Sequence, residues 1–518
     1  MDRNPLLLLF LLISGPSVIA QDRSADPTVV ARNRLISAGI SAEDLAQLRT
    51  TDSYVDARTG VRHTWLRQQW LGIDIRNSEI AVHQRASGEV VALTHRVVEH
   101  LATKAGVVEP GRPEEALRTV LDGDSVKVPL PVLVRTDEAR HRSYFAGDDF
   151  SGEAPFVELV WLAAGDALRL CWNVNYYMPD GSHWWNVRID ARTSSEIERN
   201  DWVAACGFED AVDNHGDHGV PKPTPAPAAP NDYRIYPLPI ESPNHGARAL
   251  RNAPWTLAPI ASPFGWHDTN GVPGAEYTIT RGNTVWAQED ANANNGIGYS
   301  PNSATLDFDH PLNLGGVPAT YQDAAITNLF FQTNVMHDVF YRYGFDEVSG
   351  NFQSNNYGRG GVEGDWVYAD AQDGSGTNNA NFATPPDGTP ARQQMFLYTF
   401  TTPGRDSDLD NGIVTHEYGH GISRRLVAGP SNVDCLDNQD QMGEGWSDYL
   451  QLMMTMKSGD LGTDARGVGT YLLGQPITGA GVRPLKYTTD IGVNNLTYAS
   501  TNSSSLLPNS HGVGTAWC

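Results

Sequence analysis

Length, composition and charge exclude several classes of protein. The chain has 518 residues, of which 40% are hydrophobic and 19% charged, and its formal net charge is −24. This is an ordinary globular composition, and the length exceeds that of one average domain, so we expect two or three domains. The acidic balance argues against a nucleic-acid partner, because phosphate binding requires clustered Lys and Arg.

The N-terminus has the features of a secretory signal. Arg3 precedes the apolar run Leu6–Ile13, and Val18–Ala20 supplies small or apolar residues before a cut at Gln21. The run is too short to span a bilayer, so residues 1–20 are interpreted as a removable signal peptide. A buried N-terminal helix is the alternative. We expect a secreted, extracellular protein with no membrane partner after signal removal.

Export would expose the four cysteines to oxidation. Four cysteines allow three connectivities, and the predicted pairing is Cys171 with Cys206 and Cys435 with Cys518. Four unpaired, partly buried thiols are the alternative.

The chain before residue 205 has the pattern of β-structure. Apolar and polar residues often alternate from Thr64 to Val98, with glycine-containing turns between the runs. A second block, residues 168–197, carries two aromatic-rich stretches around the turn Pro179-Asp180-Gly181. We therefore expect an antiparallel-sheet domain between about residues 25 and 205.

A proline-rich segment, residues 218–230, divides the chain. Its sequence HGVPKPTPAPAAP extends the backbone and removes hydrogen-bond donors, so we expect an exposed linker that a protease can reach. Further on, apolar residues recur at helical spacing within residues 324–344 and predict a helix. His337 on that helix is interpreted as a satisfied core histidine rather than a ligand.

The segment VTHEYGHGISRR, residues 414–425, places His416, Glu417 and His420 within five residues. On a helix the two histidines lie only about 40° apart, while an apolar stripe that starts at Val414 lies roughly opposite. Two imidazoles at i and i+4 can bind one Zn²⁺, and Glu417 flanks the same position to accept a proton from water. The alternative is a helix whose histidines only pack or form hydrogen bonds.

A second helix is expected over QMGEGWSDYLQLMM, residues 441–454. A catalytic zinc needs a third protein ligand and one open place for water. Glu444 and Asp448 share a helix face, so Glu444 is the predicted third ligand and Asp448 the acceptor that orients a ligand imidazole. The alternative for Glu444 is a residue favoured by the helix dipole. We expect the opposite face to enter a core through Trp446, Tyr449, Leu450 and Met453.

These two motifs together resemble the fungalysin family of secreted zinc metalloendopeptidases, relatives of thermolysin. Similarity extends through NDYRIYPLPIESPNHGAR, SPFGWHDTNG, NNYGRGG and AQDGSGTNNANFATPPDG, and so covers nearly all of residues 231–518. The blocks before the linker resemble the propeptide of the same enzymes. The resemblance implies a zymogen with a signal peptide (1–20), a propeptide (21–217), the linker (218–230) and a catalytic domain (231–518).

The fold class implied by the resemblance is α+β. A β-rich, antiparallel-sheet propeptide would precede a thermolysin-like domain with a β-rich lobe, a helical lobe and the zinc helix at the cleft floor. The resemblance makes Asn379 and Ala380 candidates for binding an extended substrate through their backbone. It makes His511 a candidate to stabilise the oxyanion. Relatives continue beyond the segment matching His511, whereas this sequence stops at Cys518, so we expect an incomplete helical lobe.

Two acidic segments resemble calcium loops without matching one. Aspartates alternate over Asp406–Asp410, but Asn411 occupies the position at which the sharp turn of a calcium loop requires glycine. We therefore expect these aspartates to cap a helix N-terminus and to interact favourably with its dipole. In residues 290–298, DANANNGIG, Asn295 likewise replaces the glycine. The sequence leaves room for Ca²⁺ elsewhere without supporting a site for it.

The predicted reaction is hydrolysis of internal peptide bonds in protein or peptide substrates. Zn²⁺ would polarise the carbonyl group, and Glu417 would take a proton from the attacking water and pass it to the leaving amine. The propeptide is expected to act as an intramolecular inhibitor or chaperone. The alternative is a catalytically silent homologue whose N-terminal domain is a binding or folding module.

Overall fold

A computed structural model describes residues 26–106, 109–147, 149–150, 153–164, 167–205, 231–436, 442–497 and 499–500. The predicted signal peptide, the proline-rich linker, His511, Cys206 and Cys518 lie outside these residues, so the disulfide pairing remains a prediction. Within them Cys171 is buried and Cys435 is half-buried. None of the helices in the described ranges has both the length and the apolar character of a bilayer span.

The N-terminal region, residues 26–205, contains one ten-stranded sheet and three helices among its described residues. The elements are α1 (Pro27–Ser37), β1 (Leu48–Val55), β2 (Arg62–Trp70), β3 (Ile73–Gln84), β4 (Val90–His95), α2 (Leu101–Lys104), α3 (Pro113–Gly123), β5 (Leu133–Asp137), β6 (Arg142–Phe145), β7 (Phe156–Ala164), β8 (Ala167–Tyr177), β9 (Trp184–Asp190), β10 (Glu196–Asp201) and β11 (Val203–Ala205). The sheet order is β1-β2-β3-β7-β8-β9-β10, with β4 beside β3 and the β5–β6 hairpin beside β7. The predicted hairpins, β2–β3–β4 and β8–β9, are confirmed.

The sheet is not antiparallel throughout, contrary to the prediction. β3 and β7 pair in parallel, with Ile75 opposite Trp161 and Arg76 opposite Leu162. The segment between these strands contains α2, α3 and the β5–β6 hairpin, and is long enough for the crossover that parallel neighbours require. The parallel pair therefore joins two sets of antiparallel strands into one sheet.

Helix α3 covers part of this sheet. Pro113 occupies its first turn, where a missing backbone N–H costs little, and Glu114 and Glu115 lie at the positive end of the helix dipole. Leu117 and Leu121, one helical turn apart, are fully buried in a core shared with the strands. The N-terminal region thus has a hydrophobic core of its own.

The C-terminal region, residues 231–500, contributes three helices and two sheets among its described residues. The elements are β12 (Asp232–Ile235), β13 (Ala249–Asn252), β14 (Val285–Glu289), β15 (Asp307–Phe308), α4 (Gln322–Tyr341), β16 (Val367–Thr377), β17 (Ala380–Ala383), β18 (Ala391–Tyr398), β19 (Arg405–Asp406), α5 (Asn411–Val427) and α6 (Gly443–Met454). The larger sheet has the order β11-β17-β18-β16-β14, with β19 beside β18, and β14, β16 and β18 are parallel. Strand β11 therefore leaves its own region and extends this sheet.

Helix α4 is the buried helix predicted from its apolar spacing. It contacts β12, β14 and α5, and side chains around most of its circumference are buried, as expected for a helix enclosed by protein. His337 is 1% exposed, and its ring nitrogens contact Asp338 Oδ1 at 3.1 Å and Gln353 Oε1 at 2.8 Å. Its interpretation as a satisfied core histidine is confirmed.

The predicted core contact of the outer face of α6 is confirmed for Leu450, which packs against the core that contains Tyr418, and is wrong for Tyr449 and Met453. Tyr449 is 54% exposed and Met453 is 45% exposed. The inner face, which carries Glu444 and Asp448, is the buried one, because α6 packs against α5 on that side. Tyr449 and Met453 therefore face solvent.

Candidate metal centre

Helix α5 begins with a side-chain cap. Asp410 accepts hydrogen bonds from the backbone N–H groups of Gly412 (3.1 Å) and Ile413 (3.3 Å), which satisfies two donors that a helix N-terminus leaves unpaired. The predicted capping role is confirmed for this aspartate. Val414 and Tyr418 are fully buried in the core, and this packing fixes the rotation of the helix.

Three side chains converge next to α5, and we call His416, His420 and Glu444 the histidine trio. The Nε2 atoms of His416 and His420 are 3.2 Å apart, and they lie 3.4 and 3.3 Å from the two carboxylate oxygens of Glu444. Tetrahedral ligands bonded to zinc at 2.0–2.1 Å stand about 3.3 Å from one another. The distance between the two nitrogens, and the distance from each nitrogen to its nearer Glu444 oxygen, therefore match the spacing of ligands around zinc. Each residue is at most 3% exposed.

Asp448 fixes the orientation of one imidazole. Its Oδ1 lies 2.7 Å from His416 Nδ1, so Nδ1 holds its proton toward the carboxylate and Nε2 is directed at the centre of the trio. Arg483 donates to both oxygens of Asp448, at 2.7 and 2.8 Å, and to Glu444 Oε2 at 3.1 Å. The Tyr487 hydroxyl also donates to Asp448. These contacts link a trio ligand and the orienting carboxylate into one network.

Charges and hydrogen bonds set the ionisation of this network. Burial by itself raises the pKa of Asp448, but the Arg483 guanidinium and the contact with His416 outweigh it and hold that pKa below its usual range. Burial lowers the pKa of His416, but Asp448 and Glu444 outweigh it and raise that pKa to about 10. Against the effect of burial, both imidazoles hold the pKa of Glu444 well below its usual range. Both carboxyl groups are therefore ionised at neutral pH, as a ligand and an acceptor must be.

Glu417 follows His416 directly on α5 and is fully buried. One residue turns a helix by about 100°, so the Glu417 side chain leaves the helix on the flank of the face that carries the two histidines. This position suits a group that handles protons beside the trio. The other residue predicted to take part in the chemistry, His511, lies outside the described residues.

The edge strand predicted to bind substrate is already paired. Ala380 begins β17, and Asn379 precedes it in the turn after β16. β17 is antiparallel to β18 on one side and to β11 on the other, with Val203 opposite Ala383 and Ala205 opposite Asn381. A strand of the N-terminal region therefore lies along the edge of β17, next to the two residues predicted to bind substrate.

A second contact ties the N-terminal region to the segment between α5 and α6. Asp434 in this segment is 7% exposed and accepts hydrogen bonds from Asn186 Nδ2 at 3.1 Å, from the Arg76 guanidinium and from the Trp202 indole. All three donors belong to the N-terminal region. Burial opposes ionisation of Asp434, but Arg76 outweighs it and lowers the pKa of that carboxyl.

Several residues around these sites are not identifiable from the sequence alone. Arg483 and Tyr487 lie in an irregular segment after α6, where no periodicity or motif marks them. A second buried group, Asp290, Asp370 and Asp373, has ligand atoms within 4.8 Å of one another, and we call it the aspartate trio. The acidic segment 290–298 is a partial sequence signal for this group, but no local pattern indicates that β16 supplies the other two carboxylates.

Comparisons with known proteins agree with the site. A family profile described as Fungalysin metallopeptidase (M36) matches residues 232–518, and the Fungalysin/Thermolysin Propeptide Motif matches residues 46–97. Extracellular metalloproteinase 2 of Arthroderma gypseum is 34% identical over 483 residues, which cover 90% of this chain and 70% of the relative. Extracellular metalloproteinase mep of Aspergillus fumigatus is 34% identical over 489 residues, which cover 91% of this chain and 70% of the relative.

The fold and the buried trio define a metallopeptidase preceded by a propeptide. The chain belongs to the fungalysin family of metallopeptidases. It is an extracellular metalloendopeptidase made with a propeptide, and its family implies a metal cofactor.

Proposed function

We propose that this metalloendopeptidase depends on one zinc ion held by the histidine trio. The observation that carries the proposal is the spacing of the donors: the two histidine nitrogens are 3.2 Å apart, and each lies 3.3 or 3.4 Å from one oxygen of the Glu444 carboxylate. This spacing fits zinc, and three protein ligands leave one tetrahedral corner for water or substrate. Two imidazole nitrogens with one carboxylate also form a donor set typical of a catalytic zinc.

When bound, zinc would polarise the scissile carbonyl and make a nearby water molecule more acidic. Glu417 takes the proton of the attacking water and transfers it to the leaving amine. Asp448 positions His416 by holding its Nδ1 proton. His511 is proposed to stabilise the oxyanion, and Asn379 and Ala380 to hold an extended substrate through backbone hydrogen bonds.

The proposed organisation of the chain is a signal peptide over residues 1–20, a propeptide over 21–217, a linker over 218–230 and a catalytic domain over 231–518. In the catalytic domain, the sheet that contains β14, β16 and β18 would form the β-rich lobe, and α5 and α6 would belong to the helical lobe. Helix α5 would then lie at the floor of the cleft between the two lobes.

The N-terminal region is proposed to inhibit the enzyme until it is removed. The pairing of β11 with β17 supports this role, because it covers the strand edge that an extended substrate would use. Asp434 supports it too, because its buried pair with Arg76 holds the N-terminal region beside the metal centre. We expect Asp434→Asn to weaken this contact by about 3 kcal/mol.

A fluorogenic peptide assay on the uncleaved chain tests this inhibition. Asp434→Asn should be more active than wild type before any cut, whereas the exposed Asp490→Asn should behave as wild type. Equal activity of the uncleaved Asp434→Asn and wild-type chains would contradict the proposed inhibitory contact.

The zinc mechanism is tested on the full-length chain and its Glu417→Gln variant. Both should contain one zinc, and wild type should cleave casein once the linker has been cut. The variant should be slower by about 10²–10⁴-fold, because it cannot accept a proton. Glu363→Gln, an exposed glutamate of the same region, should keep full activity. Zinc-loaded wild type without turnover, or an active Glu417→Gln, would overturn the mechanism.

A further inference from the structure

The aspartate trio lies where two parallel strands meet. Asp290 follows β14 directly, and Asp370 and Asp373 belong to β16, its parallel neighbour. The Asp290 backbone also bonds across this gap, because its N–H donates to Ala371 O at 3.2 Å and its carbonyl accepts from Gly374 N at 2.9 Å. The three carboxylates are at most 2% exposed. Sheet pairing therefore holds three acidic groups together in the interior.

The charge at the trio is only partly balanced. Arg392 forms an ion pair with Asp370 and donates to the backbone oxygen of Asn295 at 2.9 Å. It is the one basic group that contacts the trio among the described residues, so two negative charges remain. Keeping all three groups ionised therefore calls for another positive charge.

A buried amide beside the trio has an oxygen without a hydrogen-bond partner. Gln394 is fully buried, and its Oε1 contacts no donor among the described residues. Its side chain points at the trio, because Nε2 lies 2.7 Å from Asp373 Oδ2, 3.1 Å from Asn295 Oδ1 and 3.2 Å from Ser375 Oγ. An amide nitrogen has only two hydrogens for these three oxygens. A 180° rotation of the amide brings Oε1 to the position of Nε2. Oε1 then lies next to Asp373 Oδ2, Asn295 Oδ1 and Ser375 Oγ, so four oxygens converge there.

We propose that the aspartate trio and Gln394 Oε1 bind a divalent cation of the size of calcium. Calcium binds carboxylate and amide oxygens at 2.3–2.6 Å, so oxygens on opposite sides of the ion are about 4.6–5.2 Å apart. The trio's ligand atoms, all within 4.8 Å of one another, fit inside that limit. Zinc suits this group less well, because it contains no nitrogen or sulfur donor.

The cation would fasten the loop after β14 to β16. Asp290 already accepts hydrogen bonds from the backbone N–H groups of Asn294 and Asn295, so it orders the loop from within. Asn295 has φ +52°, the left-handed conformation for which a calcium loop normally uses glycine and which asparagine tolerates. The asparagine that argued against calcium in the sequence therefore adopts the required backbone conformation.

The loop after β14 also contacts the N-terminal region. Gly181 has φ +72°, and a Cβ atom at this position would lie 2.0 Å from Asn295 Nδ2. The turn of the β8–β9 hairpin thus rests directly on the loop that the cation would order. Binding of the cation is expected to stabilise the zymogen as a whole.

Calcium binding is tested on the full-length chain with Glu417→Gln, which prevents self-cleavage, at a constant saturating zinc concentration. We expect one calcium per chain by elemental analysis, and a rise in Tm of about 5 °C at a calcium concentration 100 times the Kd. Adding Asp290→Asn or Asp373→Asn should abolish the shift. Asp387→Asn, in another buried group of two aspartates and one arginine, is the matched control and should keep it.

The proposal is overturned if the chain binds no calcium, or if the shift persists in Asp290→Asn and Asp373→Asn. Should these variants fail to fold, terbium luminescence of the Glu417→Gln chain replaces them. The Tyr368 ring lies 4.8 Å from the Arg392 guanidinium and can sensitise terbium bound at the trio. Tyrosine-sensitised emission that calcium displaces supports the site, and absence of such emission overturns it.

Discussion

The histidine trio and the aspartate trio have similar spacing and different chemistry. Both place three ligand atoms within 4.8 Å of one another in the protein interior. The first combines two nitrogens with a carboxylate, which suits zinc, whereas the second offers only oxygens, which suit calcium. Each contacts a buried arginine, Arg483 in the first and Arg392 in the second. The donor atoms rather than the spacing therefore distinguish the proposed catalytic ion from the proposed structural ion.

The two trios also differ in how the chain assembles them. Helix periodicity places two ligands of the histidine trio one turn apart, and the next helix supplies the third. The aspartate trio depends on the pairing of β14 with β16, strands that are far apart in the sequence. A helical site can be recognised in a short sequence motif, whereas a site made by sheet pairing becomes visible only in the fold.

The largest expected effect separates the trios by their ions. Glu444→Ala removes one of the proposed zinc ligands, so zinc and at least about 10³-fold of the peptidase activity should be lost. The calcium-dependent shift in Tm should remain, because the aspartate trio is untouched. Zinc content, casein cleavage and thermal unfolding measure the three outcomes. Retention of zinc by Glu444→Ala would remove the basis of the comparison.

Removal of an orienting group should have a smaller effect on the histidine trio. Asp448→Asn no longer holds the His416 proton as a carboxylate does, so zinc affinity should fall by about 10–100-fold in chelator competition. Tyr487→Phe removes one hydrogen bond to the same carboxylate and leaves His416 in place, so it is the matched control. Equal zinc affinity in the two variants would show that Asp448 does not position the imidazole.

The aspartate trio should respond to loss of its arginine in a way that depends on calcium. Arg392→Gln leaves three buried carboxylates uncompensated and should destabilise the chain by about 3–5 kcal/mol without calcium. Calcium should recover part of this loss, so the calcium-dependent rise in Tm should exceed that of the parent chain. Thermal unfolding with and without calcium measures the difference. A calcium response unchanged by Arg392→Gln would separate the arginine from the ion site.

A third acidic group, Asp365 and Asp387, gives the smallest expected effect and serves as a comparison for the two trios. Burial, opposed by Arg425 and aided by Asp387, raises the pKa of Asp365 to about 7. Because this folded-state pKa is above the unfolded value of about 3.9, the group contributes most stability below pH 4, and the contribution is lost as pH rises through 7.

Asp387→Asn removes the like charge and should flatten this pH dependence by about 1 kcal/mol. Denaturant unfolding between pH 4 and 8 measures it, with the exposed Asp490→Asn as control. An unchanged pH dependence would show that repulsion between the two aspartates does not set it.

The sequence predicts the local parts of this molecule better than the distant ones. Hairpins, α4 and α5 follow from spacing and capping, and the motif around His416 and Glu444 marks the histidine trio. The parallel join of β3 and β7 was missed, because strand pairing across a long crossover leaves no local pattern. Arg483 was missed for the same reason, since tertiary folding alone brings it to Asp448. The exposure of Tyr449 shows that apolar spacing on a helix does not specify a covering partner.

The pairing of β11 with β17 bears on how activity begins. A cut between residues 206 and 230 leaves β11, Arg76 and Trp202 on one fragment and β17 and Asp434 on the other, with their hydrogen bonds intact. The cut therefore converts a tethered partner into a separate molecule, and its binding to the catalytic region then depends on concentration. With the proposed inhibition, dilution after secretion into a large volume would drive dissociation, whereas the high concentration in a secretory vesicle would keep the nicked enzyme inhibited.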